Sequence, residues 1–153
     1  MSSLEAISAF LGNSRIAVVG VSRDPKDFTR TVADEFERRG YEVIRVNPRA
    51  TDGGRSWRRS ITDISPPVSA ALLFTPPAET DKVVRECAAA GVRQIWMHRG
   101  AGHGAVSAAA VEFCREHHIE VIPGECPYMF LPGRSGIHSL HAFIRKLCRK
   151  YPS

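Results

Sequence analysis

The sequence lacks the patterns that would place a protein in a membrane, a secretory pathway or a metal-dependent class. No apolar run approaches the ~20 residues that a membrane-spanning helix needs, and the first residues lack the charged-then-apolar layout of a signal peptide. The four cysteines include no Cys-x-x-Cys pair, the pattern typical of zinc sites and of thioredoxin-type redox motifs. We therefore expect a cytoplasmic protein that holds no metal.

The chain is short and carries an excess of positive charge. We expect its 153 residues to form one domain, residues 1–153, without room for a second catalytic domain. The formal net charge of +5 favours anionic partners, which include nucleic acids, phosphorylated cofactors and acidic membrane surfaces. Charge alone does not choose among these partners.

Short apolar segments alternate with helical patterns along the chain. The apolar segments are rich in β-branched residues and nearly continuous, as in parallel strands covered on both faces. This alternation predicts an α/β fold, namely a Rossmann-like, doubly wound parallel sheet of five strands in a three-layer αβα arrangement. The predicted strand order is 3-2-1-4-5, and ligands are expected to bind over the carboxyl ends of strands 1 to 3. The predicted strands are residues 16–21, 41–46, 68–74, 94–97 and 119–122, and the predicted helices are residues 4–11, 29–39, 78–90, 104–117 and about 138–150.

The turn after the first strand lacks a dinucleotide fingerprint. Gly20 is followed by VSR, with no second or third glycine of a Gly-x-Gly-x-x-Gly motif. A phosphate at such a turn is held by backbone N–H groups and by the positive end of the next helix. The turn either binds a diphosphate with added side-chain donors or is a solvated polar loop in which Asp27 or Thr29 caps the helix. The added hydroxyl donors would be Ser22 and Thr29, and the added positive charges would be Arg23, Lys26 and Arg30.

The end of the second strand carries an amide where NAD-binding folds place a carboxylate. That carboxylate accepts hydrogen bonds from the adenosine ribose, but here Asn47 stands between Arg45 and Arg49. Arginines beside a ribose favour a phosphorylated sugar, which is found in coenzyme A (3′-phosphate) and in NADP (2′-phosphate). Alternatively, Asn47-Pro48 is simply a turn.

Two further loops follow strands at the same edge of the predicted sheet. Thr75-Pro76-Pro77 follows the third strand, where the prolines either form a rigid wall for adenine or only end the strand and begin the next helix. The fourth strand ends with Met97 and His98 before a glycine-rich turn that lets a ligand lie close to the backbone.

Read together, five segments resemble the family of stand-alone CoA-binding domains, whose members look like the N-terminal Rossmann-type domain of the succinyl-CoA synthetase α subunit. The resemblance covers residues 14–127 in order and spacing, and its segments are 18–22 (VVGVS), 46–48 (VNP), 75–77 (TPP), 95–97 (IWM) and 124–127 (GECP). It implies a site for coenzyme A or an acyl-CoA. In that site the loop around the diphosphate is matched by Gly20, Val21, Ser22, Arg23, Thr29 and Arg30, and the segment near the phosphorylated ribose is matched by Asn47, Pro48 and Arg49. The adenosine side is matched by Thr75, Pro76 and Pro77, and the pantetheine arm by Met97 and His98.

The chain also departs from this family pattern. The segment 51–59 is more basic than the usual connection, and residues 129–141 lie beyond the resemblance to the synthetase. We expect the chain to lack the second domain that holds the synthetase's phosphohistidine, so ligase chemistry is not carried over. The expected protein binds CoA without catalytic machinery of its own, as a sensor, a carrier or a subunit of a larger assembly.

Other kinds of site have weaker support. His138 and His141 are spaced i, i+3 with Cys126 as a third candidate ligand. A metal site normally needs three or four ligands in a known geometry, so the pattern favours a capping or surface role for these histidines. The basic segment 145–150 has charges at helical spacing, as on a solvated helix face, and no aromatic platform for RNA accompanies it. Two alternatives to a CoA-binding protein remain: an NADP-dependent oxidoreductase domain that uses the same arginines, and a basic nucleic-acid-binding module.

Overall fold

The computed structural model describes residues 4–50, 54, 56–99 and 104–131, and over these residues helices alternate with parallel strands. The predicted helix at about 138–150 lies outside the described residues. The helices are α1 (Leu4–Leu11), α2 (Phe28–Arg38), α3 (Pro77–Ala89) and α4 (Ala108–Glu116), and two 3₁₀ turns cover Ile61–Asp63 and Pro127–Met129. The strands are β1 (Arg15–Val19), β2 (Glu42–Val46), β3 (Trp57–Arg58), β4 (Ala70–Leu73), β5 (Gln94–Met97) and β6 (Glu120–Pro123).

The parallel Rossmann-like sheet is confirmed, but it has one strand more than predicted. Within the described residues the sheet has six strands in the order β3-β2-β1-β4-β5-β6. The prediction of five strands missed β3, because two residues in a long polar connection give no periodic signal. The predicted order was also wrong: the strand at 68–74 is β4, and it pairs with β1 instead of lying beyond β2. The switch point therefore lies between β1 and β4.

Alternating residues of the strands supply the two hydrophobic layers. Ile16 and Val18 of β1 pack on the face covered by α1 and α2, whereas Ala17 and Val19 pack on the face covered by α3 and α4. Each aliphatic side chain buried in this way contributes about 1.5–3 kcal/mol. The two covered faces explain why the strands are continuous apolar runs, and they make the carboxyl edge of the sheet a firm platform.

The start of α2 is fixed by a polar cap. Asp27 has an extended backbone, and its side chain accepts a hydrogen bond from the backbone N–H of Thr29. Of the two predicted capping residues, Asp27 is therefore the one that caps. The helix then buries Val32, Ala33 and Phe36 against the sheet, so its positive end is held at the carboxyl edge.

Within the described ranges no helix has the length and apolar character needed to cross a membrane.

Candidate functional site

The predicted site residues follow four neighbouring strands at the carboxyl edge of the sheet. The Gly20 N–H donates to the Val46 carbonyl at 2.9 Å, and the Phe74 N–H donates to the Val19 carbonyl at 2.8 Å. The loops after β1, β2 and β4 are thus bonded to one another at their bases. Residues 20–23, 47–49, 75–77 and 98 lie on these loops and on the one after β5.

The turn after β1 runs against the end of β4. Gly20 has φ +88°, and a Cβ built there would lie 3.1 Å from the backbone carbonyl carbon of Phe74. A side chain at this position would therefore push the turn away from β4. Gly20 is therefore required for close packing of the turn. This explains why the turn has a glycine at this position although it lacks the other two glycines of a dinucleotide fingerprint.

The hydroxyl of Thr29 organises this turn. Thr29 Oγ1 accepts the Ser22 N–H at 2.8 Å and donates to Asp27 Oδ1 at 2.6 Å. Ser22 Oγ accepts the Asp24 N–H at 3.1 Å, which leaves the Ser22 hydroxyl hydrogen available for a ligand. Arg23 is exposed at the tip of the turn. Thr29 therefore shapes the turn, and Ser22 and Arg23 are the side chains that face outward.

The amide of Asn47 is bonded to backbone on both sides. Its Nδ2 donates to the Val21 carbonyl at 2.8 Å, and its Oδ1 accepts the Arg49 N–H at 2.8 Å. The structure confirms a turn here, and it also ties the end of β2 to the turn after β1. Pro48 and Arg49 lie exposed on this turn.

The three arginines near the ribose position differ in their partners. Arg45 is 4% exposed and is ion-paired with Asp34 at 2.6 Å and with Glu37 at 3.0 Å, so its guanidinium serves the packing of α2 on β2. Arg49 is exposed at the turn. Arg30 lies over the indole of Trp57, with 5.4 Å between its guanidinium carbon and the ring centroid. Of the two arginines predicted to meet a ribose phosphate, only Arg49 remains available.

The loop after β4 begins α3. Thr75 is buried, and its hydroxyl shares a 2.8 Å hydrogen bond with that of Thr80. Pro77 is the first residue of α3, and the carbonyl of Pro76 accepts the Thr80 N–H at 3.1 Å. The prolines thus start the helix, as one of the two interpretations predicted, and both lie exposed at the carboxyl edge of the sheet.

Phe28, Phe74 and His98 form an aromatic cluster that the sequence analysis did not predict. Phe74 and His98 directly follow β4 and β5, and Phe28 is the first residue of α2. The His98 ring centroid lies 4.7 Å from that of Phe74 and 5.6 Å from that of Phe28, and Phe28 is 48% exposed. Burial lowers the pKa of His98, and its Nε2 has no hydrogen-bond partner in the part of the chain that the structure describes. The only signal of this cluster in the sequence was the position of its three rings: Phe28 just before a predicted helix, Phe74 at the end of a predicted strand and His98 just after another.

Met97 does not reach this edge. Its side chain is fully buried in the core layer that also contains Leu73 and Ala105. A direct contact between the Met97 side chain and a ligand would require this core to open.

Metal ligands are not grouped in the described parts of the chain. These residues contain no set of three His, Cys, Asp or Glu side chains that could hold an ion. Of the metal candidates considered above, His138 and His141 lie outside the described residues.

The fold and this edge define a class: an open, doubly wound α/β domain of Rossmann type, with the start of α2 and the exposed Arg23 and Arg49 at the carboxyl edge of the sheet. The chain belongs to the CoA binding domain family, which matches residues 14–132. The family resemblance seen in the sequence is therefore confirmed.

Solved structures share the fold. A hypothetical protein from Pyrococcus horikoshii OT3 has a TM-score of 0.73 at 24% identity, covering 82% of this chain and 87% of that chain. A protein from Thermus thermophilus has a TM-score of 0.71 at 21% identity, with coverage of 93% and 98%. The apo form of a dinucleotide-forming acetyl-coenzyme A synthetase 1 from Ca. Korarchaeum cryptofilum has a TM-score of 0.62 at 22% identity, and the match covers 75% of this chain but 27% of the synthetase chain. No curated protein matched the sequence.

Proposed function

We propose that this domain binds coenzyme A or an acyl-CoA at the carboxyl edge of its sheet and has no catalytic machinery of its own. Family membership supports CoA as the ligand class. The observation that best supports CoA as the ligand is at the end of β2. There both polar atoms of the Asn47 amide form hydrogen bonds with backbone groups, and Arg49 is exposed beside it. A carboxylate for a free ribose diol is absent from that position, so a phosphorylated ribose suits it better.

The proposed path of the ligand follows the loops across the switch point. The diphosphate lies at the start of α2, where backbone N–H groups and the helix dipole favour negative charge. The adenosine end lies over β1 and β2, and the pantetheine arm crosses β4 towards β5 and His98. The proposed contact residues are Gly20, Val21, Ser22, Arg23, Thr29, Arg30, Asn47, Pro48, Arg49, Thr75, Pro76, Pro77 and His98, with Met97 supporting the edge from within the core.

Two buried nitrogens without partners fit this ligand. Arg30 Nε lies near the start of α2 and His98 Nε2 just after β5, and neither has a hydrogen-bond partner among the described residues. The third such nitrogen, Arg45 Nε, belongs to a guanidinium that is already ion-paired with Asp34 and Glu37. Buried polar atoms without partners are rare in folded proteins and are commonly completed by a ligand or water. CoA offers phosphate oxygens for the first and pantetheine amides for the second.

We propose that the chain works as one domain in the cytoplasm, where it serves as a CoA sensor, a carrier or a subunit of a larger assembly. An NADP-dependent oxidoreductase would use the same arginines for a 2′-phosphate. It would also need a substrate pocket and a proton donor, and the sequence offered no catalytic pattern for them.

Calorimetric titration with CoA, dephospho-CoA, NADPH and a single-stranded oligonucleotide tests the proposal. We expect micromolar binding of CoA that weakens when the 3′-phosphate is removed. Preference for NADPH would establish the oxidoreductase alternative instead, and oligonucleotide binding that falls steeply with salt would establish the nucleic-acid module. Arg49→Ala is expected to weaken CoA more than dephospho-CoA, since this side chain is placed at the phosphorylated ribose.

A further inference from the structure

Arg30 is held by a residue of the edge strand that the sequence analysis did not detect. Arg30 lies in the first turn of α2, and its guanidinium stacks over Trp57, the first residue of β3. Trp57 is half-buried and packs against the core layer beneath α1 and α2. The contact therefore joins the start of α2 to the edge of the sheet.

The charge of Arg30 is not compensated within the described residues. Its Nε is buried and has no hydrogen-bond partner, and the guanidinium forms no ion pair. Asp34, one helical turn further along α2, would be its natural partner, but Asp34 is bound to Arg45 at 2.6 Å. Among the residues that the structure describes, nothing therefore competes with an anionic ligand for the hydrogen-bond donors of Arg30.

The position of Trp57 places this pair beside the ribose end of the proposed site. β3 runs parallel to β2, with Arg58 opposite Val46, and the Asn47 N–H donates to the Arg58 carbonyl at 3.0 Å. Trp57 is thus next to the end of β2, where adenine nucleotides place their ribose. The guanidinium of Arg30, which lies over Trp57, is therefore on the side of the end of β2.

We propose that Arg30 binds the 3′-phosphate of coenzyme A and that Trp57 is its positioning residue. This inference rests on the proposed function and reassigns Arg30 from the diphosphate to the ribose phosphate. The cation–π contact with the indole, at 5.4 Å from guanidinium carbon to ring centroid, restricts where the guanidinium lies, and its planar fork of N–H donors matches two phosphate oxygens. Holding the fork in place before binding reduces the entropy lost when the ligand arrives.

Binding of CoA and dephospho-CoA to four variants tests the inference. Arg30→Ala is expected to weaken CoA about 10- to 100-fold and to change dephospho-CoA less than about twofold, since it removes a charge-assisted pair with the phosphate only. Trp57→Leu is expected to weaken CoA about 3- to 10-fold because the guanidinium loses its support. Trp57→Phe keeps an aromatic face and should lie between Trp57→Leu and the wild type. Arg93→Ala, which removes an exposed arginine at the opposite edge of the sheet, should change neither ligand.

Fluorescence gives a second readout that a purely structural role would not move. The chain has two tryptophans, so a Trp96→Phe variant reports on Trp57 alone. We expect its emission to change on addition of CoA and not of dephospho-CoA. If the wild type does not prefer CoA to dephospho-CoA, the proposed function fails. If that preference is present and survives both Arg30→Ala and Trp57→Leu, the proposed function stands and this inference is wrong.

Discussion

Gly20 and Gly40 provide a matched pair for testing how closely the turn after β1 packs on β4. Both have positive φ values, +88° and +95° respectively. Alanine at either position costs about 1–2 kcal/mol because its Cβ meets the following carbonyl oxygen in a left-handed conformation. This backbone cost is common to Gly20→Ala and Gly40→Ala, so any difference between them reports on the surroundings.

The surroundings of the two glycines differ sharply. A Cβ at Gly20 would lie 3.1 Å and 3.3 Å from the carbonyl carbon and oxygen of Phe74 and 3.3 Å from the Thr75 nitrogen, whereas a Cβ at Gly40 meets nothing within 4 Å. These Phe74 and Thr75 atoms are backbone and cannot swing away, because the Phe74 N–H is bonded to β1 at 2.8 Å. Overpacking of this kind adds about 1–3 kcal/mol, so we expect Gly20→Ala to cost about 2–5 kcal/mol of unfolding free energy in total.

Urea denaturation followed by circular dichroism measures both costs, provided that the slope of the transition is the same in the two variants. We also expect Gly20→Ala to weaken CoA and Gly40→Ala to leave binding unchanged, since only the first variant displaces the turn. Equal losses of stability in the two variants would show that the turn is not packed against β4, and the geometry of the proposed diphosphate site would then have to be revised.

Two further predictions concern buried ionisable side chains. Arg45→Met is expected to lower the free energy of unfolding by less than about 2 kcal/mol, because the side chains of Asp34 and Glu37, which are 46% and 53% exposed, return to water. Asp34→Asn combined with Glu37→Gln should lower it by about 3–5 kcal/mol, because a buried guanidinium is left unpaired. Urea unfolding ranks the two variants, and the opposite order would contradict this account. Burial lowers the pKa of His98 below its ordinary value of 6.5, so the unfolded chain binds more protons just below that pH and stability should fall as the pH drops through it. His98→Gln should flatten that part of the melting-temperature profile between about pH 5 and 8, and an unchanged profile would count against a buried neutral His98.

Of the two interpretations of Asn47-Pro48, the turn is confirmed and the contact to a phosphorylated ribose stays a prediction. The sequence left open whether Asn47-Pro48 was a turn or a contact to a phosphorylated ribose. The structure confirms the turn, since both polar atoms of the amide bind backbone. The same hydrogen bonds hold Arg49 at the end of β2. The turn would therefore position Arg49 for its proposed contact with the phosphorylated ribose.

Local patterns in the sequence were sufficient for the elements and the class of fold. Continuous β-branched runs predicted five of the strands, and amphipathic spacing predicted the helices that the structure describes. The largest shift is at α4, which begins at Ala108 and not at 104 because Ser107 caps it by accepting the Ala110 N–H. Periodicity and capping act between residues a few positions apart, so a single sequence contains them fully. The family, too, followed from motifs that lie in order along the chain.

Only the tertiary structure decided which partner each site residue has. Nothing local distinguishes Arg45, which is ion-paired with two carboxylates of α2, from Arg30, which lies over Trp57 and pairs with no carboxylate among the described residues. The pairing of β4 with β1, the existence of β3 and the burial of Met97 likewise depend on segments distant in sequence. Strand pairing and side-chain neutralisation are contacts between elements, and their outcome depends on which surfaces the packed sheet brings together.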